Sequence, residues 1–154
     1  MTKWWPRIRY VLALAALCAI ATCPAAKRAC TAKQRAKEAD QLLSYLGDRV
    51  AAAVAATGKV PPLPAGPTPE SSCCDQGGAC SPDAALWDTP GWHALAFTID
   101  GDFRYAYEYI PDPSGASAVI RAHADLECDG HPSRVELHVL ATGSAVERTW
   151  VREE

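Results

Sequence analysis

Oxygen-bearing side chains recur between residues 125 and 136 at the spacing of a calcium-binding loop. Counted from Asp125 as position 1, they occupy positions 1, 3, 5, 9 and 12, and Gly130 takes position 6, where glycine allows a sharp turn. The five candidate ligands are Asp125, Glu127, Asp129, Ser133 and Glu136. The flanking segments alternate like strands, so an acidic turn between two strands is the competing interpretation. Calcium is the one cofactor that this pattern suggests.

Cysteines form the second reactive group. The chain has seven of them, and four lie in or after a stretch rich in Gly, Pro and Ser. These disulfide candidates are Cys73, Cys74, Cys80 and Cys128. A small loop closed on Cys80 and a tie from that loop to Cys128 both fit the spacing, and the pairing stays open. Zinc is the alternative, but the spacing lacks the paired CxxC motifs of structural zinc sites. Disulfides indicate an oxidising compartment.

No group of residues forms a catalytic pattern, and the sequence predicts a protein that is not an enzyme. The histidines, which titrate near neutrality, show no pair at the helical i, i+4 spacing. They are His93, His123, His131 and His138. No nucleophile signature surrounds a cysteine. Surface or cross-strand positions are therefore expected for the histidines, with a metal ligand or a general base as the alternatives.

A long N-terminal helix is expected to position these residues. Tyr10 to Cys23 is an unbroken apolar run, and further along small and apolar residues recur at spacings of three and four, which predicts one helical stripe. The stripe consists of Ala29, Ala32, Ala36, Ala39, Leu43, Leu46, Val50, Ala53 and Thr57. Gly58 is expected to end the helix as a C-cap. The helix would thus extend from Tyr10 to about Thr57.

Three fates of the apolar run are open. Tyr10 to Cys23 is shorter than the roughly 20 residues of a membrane span and has the length of a cleavable signal segment. Lipidation at Cys23 is a second fate, and a retained helix is the third. Helical periodicity that continues past Pro24 favours retention, and Lys3 and Arg7 suit the cytoplasmic headgroup region.

Charge is unevenly distributed along the chain. Residues 1 to 40 contain eight of the 15 Lys and Arg but only two of the 18 Asp and Glu. The remainder is acidic, which argues against sequence-independent binding of nucleic acid. The basic N-terminal part instead favours anionic lipid headgroups, so we expect the inner membrane and not nucleic acid as a partner.

The rest of the chain predicts a sheet. Residues 58–91 lack any period and are expected to be a linker or surface loop. Residues 92–99 and 103–110 alternate around an Asp100-Gly101 turn and predict a hairpin. Tyr105, Tyr107 and Tyr109 are expected to pack on the helix in preference to stacking on a ligand. Three more alternating segments follow. The sequence therefore predicts an α+β fold, a long N-terminal α-helix packed on a four- to five-stranded antiparallel β-sheet, in three regions, 1–57, 58–91 and 92–154.

This order of segments resembles type IV pilins and pilin-like proteins of the bacterial envelope, over roughly Val11 to Val139. The residues that carry the resemblance are Trp92, Leu95, Phe97, Tyr105, Tyr107 and the segment DLECDGHPS at 125–133. The glycine and the acidic residue of that family's N-terminal processing motif are absent from this sequence.

The resemblance implies a membrane-anchored structural subunit. Its partners would be other pilin-like subunits, contacted through the N-terminal helix in an envelope filament or a related complex. It would lie in the bacterial inner membrane with the head in the periplasm, or be exported to a cell-surface filament. The alternative is a secreted or lipid-anchored binding module, stabilised by disulfides and with or without calcium.

Overall fold

The computed structural model describes the backbone of residues 24–153 and the side chains of residues 37–153. The chain divides into two compact units, Met1–Gln34 and Arg35–Glu154, and the second contains the sheet. The described elements are α1 (Pro24–Thr57), β1 (Ala65–Thr68), two short 3-10 helices (Cys73–Gln76 and Ala84–Trp87), α2 (Pro90–Leu95), β2 (Ala106–Pro111), β3 (Ser117–Ala124), β4 (Ser133–Thr142) and β5 (Ala145–Glu153).

The strands form one five-stranded antiparallel sheet in the order β1-β2-β3-β4-β5, so each strand pairs with its neighbour in sequence. Along β3 the side chains alternate between buried and half-buried, and Ile120 and Ala122 are fully buried. Their cross-strand neighbours Tyr109 and Tyr107 are buried on the same face. The fold is therefore α+β, with a strand number inside the predicted range.

A stripe of apolar residues along α1 is completely buried. It consists of Ala39, Leu43, Leu46, Val50 and Val54. The first four confirm the predicted stripe, but its predicted end is wrong because Val54, rather than Ala53, turns to the core. Thr57 is exposed, and its hydroxyl donates to the carbonyl oxygen of Ala53 at 2.8 Å. The predicted stripe members Ala29, Ala32 and Ala36 lie outside the described side chains.

Gly58 ends α1 as predicted. Its φ of 74° lies in the left-handed region that glycine adopts without strain, and its N–H donates to the carbonyl oxygen of Val54 at 2.7 Å.

Gly47 brings the helix close to the sheet. A Cβ at this position would lie 2.7 Å from Cδ2 of Leu137 on β4, closer than two carbon atoms can approach. Glycine at this position therefore leaves space for the Leu137 side chain, which would have to shift to admit a larger residue. The buried stripe of α1 packs on the apolar face of the sheet around this point.

The predicted hairpin around Asp100-Gly101 is wrong, because its first strand is replaced by a helix and β2, which begins at Ala106, pairs with β1 and β3. Residues 90–95 form the helix α2 because Pro90 suits a first helical turn, and Trp92 and Leu95, three residues apart, are both buried. Leu95 thus belongs to two patterns, a helical spacing with Trp92 and a strand spacing with Phe97 and Ile99. A side chain of α1 satisfies a free carbonyl at the C-terminal end of this helix, since Nε of Arg49 donates to the carbonyl oxygen of Leu95 at 3.0 Å.

The expectation of a linker or surface loop at 58–91 is also wrong in part. This segment supplies β1, which pairs with β2 at Ala65↔Tyr109 and Thr68↔Tyr107. It also supplies core residues, among them a tryptophan. The buried ones are Val60, Ala65, Cys73, Cys80 and Trp87. The proposed boundaries at 57 and 91 stay a prediction.

Among the helices of residues 24–153, none is long and apolar enough to cross a membrane. The predicted apolar run Tyr10 to Cys23 lies outside the described residues.

Replacing Leu46 by alanine should lower the free energy of unfolding by about 2 to 5 kcal/mol, because it leaves a cavity between α1 and the sheet. The matched control is Leu63→Ala, the same change at a leucine that is 45% exposed, which should have little effect. Urea denaturation of the purified chain measures both. Equal effects of the two variants would contradict the helix-on-sheet packing.

Candidate functional site

The predicted calcium loop closes on its own backbone. The carboxylate of Asp125 accepts hydrogen bonds from the N–H of Asp129 at 3.1 Å and of Gly130 at 2.7 Å. These backbone donors, Gly130 first, lower the pKa of the exposed Asp125 carboxyl. Asp129 in turn accepts from the N–H of His131, and the Ser133 hydroxyl donates to a backbone carbonyl. The loop has the hydrogen bonding of an acidic turn between β3 and β4.

Glu136, the fifth candidate ligand, is engaged elsewhere. Its carboxylate lies 2.7 Å from Nε of Arg121 and 2.8 Å from Nε2 of His138, with Nε of Arg134 at 3.6 Å. In the described part of the chain, no three or more His, Cys, Asp or Glu side chains are grouped to hold a metal ion. Calcium binding through Asp125, Glu127, Asp129, Ser133 and Glu136 stays a prediction.

The contacts of Glu136 belong to a charge network on the sheet face that turns away from α1. Glu108, Arg121 and Glu136 stand directly opposite one another on β2, β3 and β4, and Arg121 bridges the two carboxylates. Arg134 continues the network to Glu153 on β5. Three of its pairs, Glu108–Arg121, Arg121–Glu136 and Arg134–Glu153, join neighbouring strands, so the network stabilises the order of the sheet.

Glu136 is the buried centre of this network, with 8% of its surface exposed. Burial alone would raise the pKa of its carboxyl, but hydrogen bonds from Arg121 and His138 and the nearby arginine charges outweigh burial and lower the pKa. The same pairing raises the pKa of Arg121. Both groups are therefore held in their charged forms.

The four histidines are not brought together. His93 follows the first turn of α2 and pairs with Asp88 at 2.7 Å in an exposed position. His123 is half-buried on β3, and burial lowers its pKa. His131 lies in the exposed β3–β4 loop, and His138 binds Glu136. The expectation of surface or cross-strand positions fits all four, since His93 and His131 are exposed and His123 and His138 lie on strands.

The tyrosine row packs beneath α1. Tyr105, Tyr107 and Tyr109 are at most 1% exposed, and the Tyr109 hydroxyl donates to the carbonyl oxygen of Pro61 at 2.8 Å. Burial raises the pKa of Tyr107 and Tyr109, so their hydroxyls remain protonated donors. The row is part of the core, which fits strand packing and leaves no exposed ring for stacking a ligand.

Glu38 of α1 is a residue that the sequence pattern does not reveal. It accepts from the backbone N–H of Arg104 at 2.7 Å, from the Arg104 guanidinium at 3.2 Å and from the Tyr107 hydroxyl at 3.3 Å. Its only sequence signal is its place beside Ala39 of the buried stripe. Glu38 thereby ties α1 to the chain that enters β2.

Two disulfides confirm the prediction for the cysteines. Cys73 pairs with Cys80, and Cys74 pairs with Cys128. The first closes a small loop and the second joins that loop to the turn between β3 and β4. Both links that the spacing allowed are therefore present together.

A shallow, open depression lies beside α2. Its base is the aromatic pair Trp87 and Trp92, whose ring centroids are 5.5 Å apart in a T-shaped contact, and the Asp88–His93 pair lies at its rim. The indole nitrogen of Trp87 is buried and has no hydrogen-bond partner among the described residues. Because that nitrogen has no exposed surface, a ligand in the depression would not contact it without a movement of the wall.

Comparison with known proteins gives no relative for this arrangement. No family model, no curated protein and no solved structure matches the chain.

Removal of the long-range disulfide should destabilise the protein more than removal of the short one. In the chain-entropy estimate, a link across 54 residues contributes about 4 kcal/mol and one across 7 residues about 2 kcal/mol. Cys74→Ser with Cys128→Ser is therefore expected to lower the urea midpoint more than Cys73→Ser with Cys80→Ser. A chelator added to the unmodified chain provides the metal control, and a larger loss with the chelator than with either pair would assign the stability to calcium.

Glu136→Gln should lower the free energy of unfolding by about 1 to 3 kcal/mol at neutral pH, since charge-assisted hydrogen bonds are lost from a buried site. Because folding lowers this pKa from its ordinary 4.5, the contribution is complete above pH 4.5 and disappears as the pH falls through the folded-state value. The difference between variant and original should therefore shrink on acidification. Glu147→Gln, at an exposed residue of β5, is the control. A difference that grows toward low pH would contradict the assignment.

Proposed function

We propose that the chain is a pilin-like structural subunit without enzymatic activity. In this proposal the N-terminal helix anchors it in the membrane and packs with like helices in an envelope filament or a related complex. The observation that carries the proposal is the packing of α1, through Leu43, Leu46 and Val50, on one face of an antiparallel sheet. This is the architecture that the resemblance to type IV pilins implies.

The opposite side of α1 supports a role in assembly. Its exposed positions within the second unit include Lys37, Gln41, Ala52 and Ala55, a mixture of small and polar residues. Small residues allow the close approach of a second helix, and the polar ones suit an interface that also meets water. The apolar run Tyr10 to Cys23 would extend this helix into the membrane.

The disulfides support an exported head. Cys73–Cys80 and Cys74–Cys128 persist in an oxidising compartment such as the bacterial periplasm. We therefore propose an inner-membrane protein with its head in the periplasm, or a subunit exported in a cell-surface filament.

The state of the charged residues supports a structural role. The side chains of Glu38, Glu136 and Arg121 form hydrogen bonds with neighbouring elements of the same head. A catalytic acid or base needs a pKa near the working pH and access to a substrate. Tyr107 and Tyr109, whose pKa values are raised, and Glu136, whose pKa is lowered, have neither property.

The second candidate is a secreted or lipid-anchored binding module. It is favoured by the compactness of the unit Arg35–Glu154, which carries its own core and both disulfides. The two proposals differ in the fate of Tyr10 to Cys23, which the structural subunit retains and the secreted module loses.

Intact-mass measurement on the full chain, purified from carbonate-washed bacterial membranes, tests the proposal. We expect a mass that includes Tyr10 to Cys23, because the retained helix anchors the subunit. Leu14→Arg should reduce the membrane-bound fraction, since a charge at the centre of an apolar segment is costly in lipid. The control Leu63→Arg makes the same change at an exposed loop residue and should leave that fraction unchanged. A mass that starts at or after Cys23 would rule out the structural subunit in favour of the secreted module.

A further inference from the structure

The strand β5 is the last in the sheet and pairs only with β4. Its nine residues, Ala145–Glu153, contain no proline, and among residues 24–153 no strand lies along its outer edge. A long edge strand offers unpaired backbone N–H and C=O groups to another chain.

The register shows which residues present these groups. Thr142 and Ala145 face each other across the two-residue turn at Gly143 and Ser144, so they form the closing hydrogen-bonded pair. Hydrogen-bonded pairs then alternate along the ladder. The backbone groups of the intervening residues point to the open edge, and these residues are Val146, Arg148, Trp150 and Arg152.

Charges commonly protect an edge strand from pairing, but here the two arginines are engaged with α1. Arg148 lies 2.8 Å from a carboxylate oxygen of Asp48, and Arg152 lies 2.9 Å from one of Asp40. Between them, Trp150 is 38% exposed, with the Arg152 guanidinium 5.5 Å from its ring centroid. The centre of the edge thus carries an exposed aromatic ring between two arginines whose side chains are held in ion pairs with α1.

We propose that this edge binds the β5 edge of a second copy of the chain, in antiparallel orientation, with a two-fold axis at Thr149. In this register all nine residues of β5 have a partner. Ala145 pairs with the partner's Glu153 at one end, and Glu153 pairs with the partner's Ala145 at the other. Arg148 stands opposite the partner's Trp150 on both sides of the axis, which allows two cation–π contacts. No two like charges stand directly opposite each other.

Moving the two-fold axis by one residue, from Thr149 to Trp150, keeps the same side chains on each face of the sheet but is unfavourable. A two-fold axis at Trp150 would place Glu147 opposite the partner's Glu153 and Arg148 opposite the partner's Arg152. Like charges directly opposite each other destabilise a strand pair. An axis at Arg148 would place this arginine opposite its own copy, so among the axes at Arg148, Thr149 and Trp150 only the one at Thr149 sets no like charges opposite each other. Axes nearer the ends of β5 pair fewer of its residues, and the axis at Thr149 pairs all nine.

The helices leave room for this pairing. Gly47 of α1 lies over Leu137 of β4, so the two copies of α1 would be separated by about three strand spacings, roughly 14 Å. Packed helices approach to about 8 to 10 Å, so the two helices would not collide.

Cross-linking through cysteine tests the register in the full chain. The background carries Cys18→Ser, Cys23→Ser and Cys30→Ser and keeps both disulfides of the head. Thr149→Cys should form a covalent dimer on mild oxidation, because the two copies of residue 149 meet as a non-hydrogen-bonded pair at a distance that a disulfide spans. Val151→Cys lies on the same face and should not cross-link with itself, since its opposite residue is the partner's Glu147. Equal cross-linking of the two variants, or none, would overturn the proposal.

Equilibrium association tests the same contact without a covalent bond. Thr149→Lys places two lysines face to face across the axis and should weaken dimerisation at least about tenfold. Thr142→Lys makes the same change at an exposed residue away from the edge and should leave it unchanged. Sedimentation of the detergent-solubilised full chain over a range of concentrations measures both. A chain that stays monomeric, or a dimer that Thr149→Lys does not weaken, would overturn the proposal.

Discussion

The close contact between α1 and β4 at Gly47 constrains the rest of the described structure. A side chain at this position would displace Leu137, so glycine allows the helix to lie close to the sheet here. Polar contacts then fix the rotation of the helix on both sides of that point. Asp48 binds Arg148 on β5, and Arg49 binds the end of α2. The apolar stripe supplies most of the stabilising free energy, and these directional contacts select one orientation.

The sequence predicted an element correctly where its residue pattern fits only one kind of secondary structure. The stripe through Leu43 and Leu46 fits one period only, and the buried face of α1 from Ala39 to Val50 was predicted correctly. Leu95 fits both a strand with Phe97 and a short helix with Trp92, and the proline at residue 90 decides for the helix. Local pattern alone could not separate these two cases.

Two other features were beyond prediction because tertiary contacts create them. β1 has the sequence AGPT, which has low intrinsic strand preference, and it is a strand because β2 offers it an edge. In the sequence Glu136 has the spacing of a twelfth ligand in the calcium-loop pattern. In the structure it lies on β4, where its side chain faces Arg121. Spacing along the chain places residues in a common segment, whereas the pleat of the strand decides which face they occupy.

The adjacent residues Cys73 and Cys74 form disulfides with cysteines in different parts of the head, Cys80 and Cys128. Exchange of these partners would change each closed loop by a single residue, so chain entropy hardly distinguishes the native pairing from the exchanged one. Burial does distinguish them, since Cys73 and Cys80 lie in the core while Cys128 is exposed. Correct oxidation therefore has to follow the collapse of the core around Cys73, and a chain oxidised before that step would depend on a disulfide isomerase to reach its native links.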